Sequence, residues 1–142
     1  MRKGRLLLLL AAVAVLLAGL CLREQQKRSG EALILQLTDL SRLLREEADF
    51  ARAAQDEGLL TLYSPDGAVV GAIPLTEEEQ RLFTGRRVLG VRKTGDDVFF
   101  ITGGAVDDET GYAVSADGEL CMDGIWHAER VAGGVFRYRT YP

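Results

Sequence analysis

The chain contains no asparagine, so no N-glycosylation sequon can exist anywhere along it. A single histidine, His127, and two cysteines, Cys21 and Cys121, leave few soft ligands or nucleophiles. That scarcity argues against a zinc site, which draws on several Cys and His side chains. It also argues against a disulfide framework, because Cys21 lies inside an apolar run and Cys121 stands alone downstream. Lysine is scarce too, three against fourteen arginines, a bias that reads as genome composition. Basic charge is short overall. The first 22 residues hold three of the 17 basic residues and no acid, leaving residues 23–142 with 14 basic against 21 acidic and a net charge of −7. An acidic exterior repels phosphate backbones, which excludes DNA or RNA as a natural partner.

What the sequence does have is an uninterrupted apolar stretch. Leu6 to Leu22 contains only Leu, Ala, Val, Gly and Cys, and Arg2, Lys3 and Arg5 precede it. As a helix these seventeen residues extend about 25 Å, the short end of a bilayer core. Three readings fit such a run. An uncleaved anchor needs the length and the lack of charge. A cleaved signal needs a small-x-small site, for which Gly19-Leu20-Cys21 is the best candidate. A lipoprotein signal wants a small residue directly before the cysteine, and Leu20 stands there instead. The anchor is the favoured reading. The basic residues ahead of the run place the N-terminus in the cytoplasm and the bulk of the chain outside, at the plasma membrane of a bacterium.

The remaining 120 or so residues suffice for one small domain. Hydrophobic residues make up 47% of the chain, an ordinary globular content. A polar collar follows the run, with Ser29-Gly30 as a possible break. Glu31 to Glu57 then reads as one amphipathic helix, with Leu33, Leu37, Leu40, Leu44, Ala48 and Ala51 recurring near the 3.6 period and Gly58 at the C′ position. Arg42/Glu46, Arg45/Asp49 and Arg52/Asp56 fall at i,i+4 on it. The stripe Leu33, Leu37, Leu40 and Leu44 also fits the steps of a coiled-coil seam, so self-association or a protein partner through it is expected. Leu43, Phe50 and Ala54 widen the face, which suits a helix lying on a sheet.

Beyond Gly58 the period becomes two. Leu60–Tyr63 and Ala68–Ile73 flank Ser64-Pro65-Asp66-Gly67, a hairpin. Thr76-Glu77-Glu78-Glu79 forms a capping box for a short helix to Thr84, closed by Gly85. Val88–Lys93, Asp97–Thr102, Tyr112–Ser115, Glu119–Met122, Ile125–Val131 and Val135–Tyr141 read as further strands. The fold class is α+β: an N-terminal transmembrane helix, a long amphipathic helix, and a small antiparallel β-meander with one inserted helix. The domains are 1–22 (stub and anchor), 23–57 (collar and helix) and 58–142 (β-rich domain). In the last hairpin, a loop at Ala132–Gly134 sets Glu129 opposite Arg137 and His127 opposite Arg139. Trp126, Phe136 and Tyr138 then join the core.

No catalytic set emerges. A turn at Asp123-Gly124 pairs Cys121 with Trp126, which sends Cys121 and His127 to opposite faces and makes Cys121 a buried structural residue. Asp107, Asp108 and Glu109 are the weak candidates for a metal site, without the alternating spacing of an EF-hand. No cofactor motif is present, since Gly103-Gly104 precedes no helix. The order of helix, Pro-Asp-Gly hairpin, short helix and strands resembles extracytoplasmic PAS- or Cache-like sensor domains. Gly4 followed by an apolar helix, an amphipathic helix and strands resembles a type IV pseudopilin, with Leu9 where pilins carry Glu and Arg5 where they carry an apolar residue. Division-complex proteins share the anchor-plus-helix layout. The expectation is a non-catalytic single-pass membrane protein presenting a small extracytoplasmic interaction or ligand-binding domain. A pseudopilin-like or division-complex-like assembly subunit is the alternative, and an exported enzyme ranks behind both.

Overall fold

A computed structural model describes residues 2–47, 49–104 and 107–141. The chain divides into two compact units, Met1–Leu35 and Gln36–Pro142. The first unit is helical throughout its described residues. Helix α1 (Arg2–Glu46) starts there and does not break at Ser29-Gly30, contrary to expectation. One glycine in a helix costs only about 1 kcal/mol, which neighbouring turns absorb. Every Leu and Val from Leu6 to Leu22 is between 51% and 73% exposed. This helix is long and apolar enough to cross a membrane; a signal sequence meets the same criterion.

The second unit holds the last turns of α1, a short helix α2 (Glu77–Thr84) and an antiparallel sheet. Its eight strands are β1 (Arg52–Asp56), β2 (Leu59–Tyr63), β3 (Val69–Pro74), β4 (Gly90–Thr94), β5 (Asp97–Gly103), β6 (Thr110–Val114), β7 (His127–Ala132) and β8 (Val135–Arg139). They lie in the order β3-β2-β1-β4-β5-β6-β8-β7. The α+β class stands, but the sheet is not a pure meander. β1 sits between β2 and β4, and β8 between β6 and β7.

β1 was expected to be the end of the amphipathic helix. Instead α1 stops at Glu46 and residues 52–56 pair with β2 and β4. Glu57 and Gly58 both have positive φ, 48° and 79°, and join Asp56 to Leu59 in a two-residue primed turn. The glycine that looked like a helix C′ is therefore a hairpin residue. Arg45/Asp49 and Arg52/Asp56 therefore no longer share a helix. Arg42 meets Asp39 at 3.7 Å, while Arg45 donates to the carbonyls of Asp96 (2.7 Å) and Val114 (3.1 Å). Ala48, expected on the apolar face, lies outside the described residues, as do residues 105–106 of the polar stretch.

The core follows from period-two alternation. One face presents Leu60, Leu62, Val91, Val98, Phe100 and Val135, all nearly inaccessible to solvent. Leu37, Leu40 and Leu44 of α1 and Leu82 and Phe83 of α2 are buried with them. Three of the four leucines of the expected seam, Leu37, Leu40 and Leu44, thus lie in the core of this unit. The other face holds a second cluster, Phe99, Ala113, Phe136 and Tyr138, with Leu120, Ile125 and Ala128 packed against it. β5 is thus covered on both sides, and Asp97 to Phe100 are all buried. Gly111 lets β6 approach it, since a Cβ there would sit 2.0 Å from the Phe100 carbonyl oxygen.

Residues 115–126 form that second cover. They were expected to contain the strand Glu119–Met122 and do not. Their own polar groups satisfy them instead. Ser115 Oγ lies 2.8 Å from both Asp117 Oδ1 and the Glu119 carbonyl, and Arg130 donates to the Gly118 carbonyl at 2.8 Å. The capping box at Thr76 and Glu79 forms as expected, at 3.1 and 3.2 Å. So does the last hairpin's register, His127 opposite Arg139 and Glu129 opposite Arg137, with Ala132 rather than Val131 opposite Val135. Phe136 and Tyr138 are buried. Trp126 is 56% exposed, because it precedes β7 at the rim, where nothing covers it.

Candidate functional site

The cover formed by residues 115–126 lies over β5, β6 and β8 and reaches β7. On the same face, the other half of the sheet is bare. Register places Ala72, Thr61 and Ala54 side by side across β3, β2 and β1. Gly90 of β4 continues that row, a floor of small residues. On one side of it stand Tyr63, Arg52 and Arg92, also in register. On the other stand Pro74, Leu59 and Asp56, in register across β3, β2 and β1. Leu59, Ala72, Pro74 and Leu89 are exposed, Leu89 to 67%. At the β1–β4–β5 end of this face, Arg52, Ala54, Tyr63, Leu89, Gly90, Arg92, Ile101 and Glu109 line an open depression of about 410 Å³. That is the size range of small-molecule sites, which are mostly apolar with a few placed polar groups.

Arg92 anchors the depression. Its Nε and Nη2 donate to Glu109 Oε1 at 3.2 and 2.9 Å, and Nη1 donates to Thr94 Oγ1 at 2.8 Å. Its Cζ lies 4.0 Å from the Phe99 ring centroid, a cation–π contact. Tyr138 donates its hydroxyl to the same Glu109 oxygen at 2.6 Å and meets Phe99 edge-on at 5.0 Å. Burial holds the Tyr138 phenol well above its ordinary range, and the hydrogen bond to Glu109 adds to that. Glu109 is fixed through its backbone as well, donating to Thr140 Oγ1 at 2.7 Å. The cluster is a clamp that joins β4, β5 and β8 to Glu109, just ahead of β6.

Arg52 lies directly opposite Arg92. It forms no ion pair among the described residues and rests over the Tyr63 ring, 6.0 Å from its centroid. Sequence reasoning missed both arginines. The Arg92–Phe99 opposition was readable from the tight turn at Gly95-Asp96. Arg52 was hidden by the helical reading of its segment.

The loop carboxylates do not act together. Glu109 is committed to Arg92 and Tyr138, Asp107 is exposed, and Asp108 has a buried Oδ1 with no hydrogen-bond partner among the described residues. No group of three or more His, Cys, Asp or Glu among the described residues is arranged to hold a metal ion. Cys121 is exposed rather than buried, because its segment leaves the sheet; its backbone N–H donates to Asp97 Oδ2 at 3.0 Å. It therefore has no strand partner in Trp126, and His127 instead opposes Arg139 with its ring 5.9 Å from that of Trp126. Arg137, Arg139, His127 and Glu129 line a separate shallow depression on the opposite face. Comparison of the chain with family models, with curated proteins and with solved structures finds no match in any of the three.

Proposed function

We propose that this is a non-catalytic, single-pass plasma-membrane protein that holds a small ligand-binding or interaction domain outside the cytoplasm. One observation carries the reading: the whole Leu6–Leu22 run is exposed on a helix long and apolar enough to cross a membrane. Exposed apolar surface of that extent needs a bilayer or another chain to cover it. The domain supports the non-catalytic part. Its best-organised carboxylate, Glu109, is held by an arginine and a buried tyrosine, which stabilises an ion pair and leaves no poised base. The exposed thiol of Cys121 supplies the test. A membrane-impermeant maleimide should label Cys121 in intact cells, with Cys21 unlabelled inside the bilayer. Labelling only after lysis would overturn the orientation.

The second reading, a pseudopilin-like or division-complex-like assembly subunit, draws support from the unbroken course of α1 through Ser29-Gly30. Cleavage after Gly4 by a prepilin peptidase, seen as a shortened N-terminus by mass spectrometry, would establish it. An intact Met1 or Arg2 start would dismiss the pilin form.

A further inference from the structure

We propose that the bare half of the sheet, over β3-β2-β1-β4, binds a small amphiphilic carboxylate. Its carboxylate sits on Arg52 and its apolar body lies along the Ala72–Thr61–Ala54–Gly90 floor. This rests on the reading of a ligand-binding domain and names the chemistry that domain selects.

Charge is the first argument. Residues 23–142 carry −7, yet this face sets two arginines directly opposite each other. Like charges in that position are destabilising. Glu109 compensates Arg92, but Arg52 makes no ion pair among the described residues. An anion beside Arg52 removes the conflict. The planar guanidinium fork matches a carboxylate through two parallel hydrogen bonds. One uncompensated cation suits a monoanion, not a polyphosphate.

Shape is the second. Four adjacent strands at about 4.8 Å spacing give the floor a length of about 14 Å. Its residues are small, and the flanking ones include the large Tyr63 beside Arg52 on one side and Leu59 on the other, where Asp56, four residues along β1 from Arg52, keeps an anion to the Arg52 end. A phenyl ring or short alkyl chain lying on Ala54 and Thr61 covers apolar surface that is otherwise wet. The elements that cover the sheet elsewhere, residues 115–126 on this face and the helices on the other, leave this area open. The depression of about 410 Å³ takes in the Ala54 and Gly90 end of this floor, beside Arg52 and Tyr63 and with Glu109 on its far wall, and is ample for a small acid.

The test uses the full chain in nanodiscs of zwitterionic lipid, with alanine methyl groups labelled for NMR. Phenylacetate is titrated in, with phenethylamine as a cation of the same shape and empty nanodiscs as the reference. Saturable shifts are expected at the Ala54 and Ala72 methyls and not at buried Ala113. Arg52→Gln should weaken binding about tenfold or more, the effect of losing a charged hydrogen-bonded partner. Ala54→Leu should abolish it by filling the floor. No saturation by about 10 mM, beyond the weak end of millimolar affinity, would sink the proposal. So would equal binding of phenethylamine, or unchanged affinity in both variants. Shifts that follow protein concentration without ligand would make the face a self-association surface and also end it. Absent binding with Cys121 labelled from outside would remove the ligand and leave the anchored-domain reading standing. Binding with Cys121 sheltered in the cytoplasm would do the reverse.

Discussion

At the scale of single residues, the domain's most distinctive chemistry is a shared oxygen. Glu109 Oε1 accepts from Arg92 twice and from Tyr138 once. Tyr138 must stay protonated to donate, and its phenol is held above the ordinary value near 10 mainly by burial. A raised folded-state value means this contribution is complete below pH ~10 and lost as pH rises past it. Urea denaturation should therefore show the parent losing stability between about pH 9.5 and 11 more steeply than Tyr138→Phe. At pH 7 the same variant should be about 1–2 kcal/mol less stable, since a hydrogen bond to a charged group is lost. Equal alkaline slopes in the two proteins would refute the role given to the phenol. Little of this cluster was legible beforehand. Glu109 looked like one of three loop acids, because nothing in Asp107-Asp108-Glu109 tells which carboxylate turns toward a strand arginine seventeen positions earlier.

Individual elements show where local patterns hold and where they yield. The capping box at Thr76 was readable because both its partners lie within four residues. The last hairpin was readable because the polar and apolar parities of His127–Glu129 and Arg137–Arg139 admit only one good register. Residues 51–56 misled because Ala-Arg-Ala-Ala-Gln-Asp has strong helix propensity, and only pairing with β2 and β4 makes it a strand. Glu119–Met122 misled in the opposite sense: its alternation suits a strand, but its place is over Phe99 and Tyr138 as an irregular cover. Trp126 shares the parity of Phe136 yet lies past the end of the covered sheet. For α1, the split between core and surface predicts a contrast. Leu37→Ala should cost about 2–5 kcal/mol by leaving a cavity, while Leu35→Ala, at an exposed position, should shift the denaturation midpoint little.

For the whole molecule, the α+β class was legible in the change of apolar period from 3.6 to two and in the turn sequences between the strands. Where the amphipathic helix ends was not, because that depends on which strands find each other. The anchored reading makes a prediction at this scale. The full chain should remain in the membrane pellet after alkaline carbonate extraction. Placing arginines at Leu9 and Leu16 together should release it, since each costs roughly 2.5–3.5 kcal/mol at the centre of a span. A parent chain that washes off with carbonate would point to a cleaved or peripheral segment.

The double cover over β5 has one more consequence, in the timing of proton traffic. Val98, Phe99 and Phe100 are buried on alternate faces of the central strand, so no partial opening of one face frees their backbone amides. In deuterated solvent those amides should exchange only through global unfolding, and their rates would report the full stability of the unit. Val69 and Ala72, on the outermost strand, should exchange orders of magnitude sooner. The slowest amides in the protein would then mark its centre, and the fastest in the sheet would mark the edge beside the bare face.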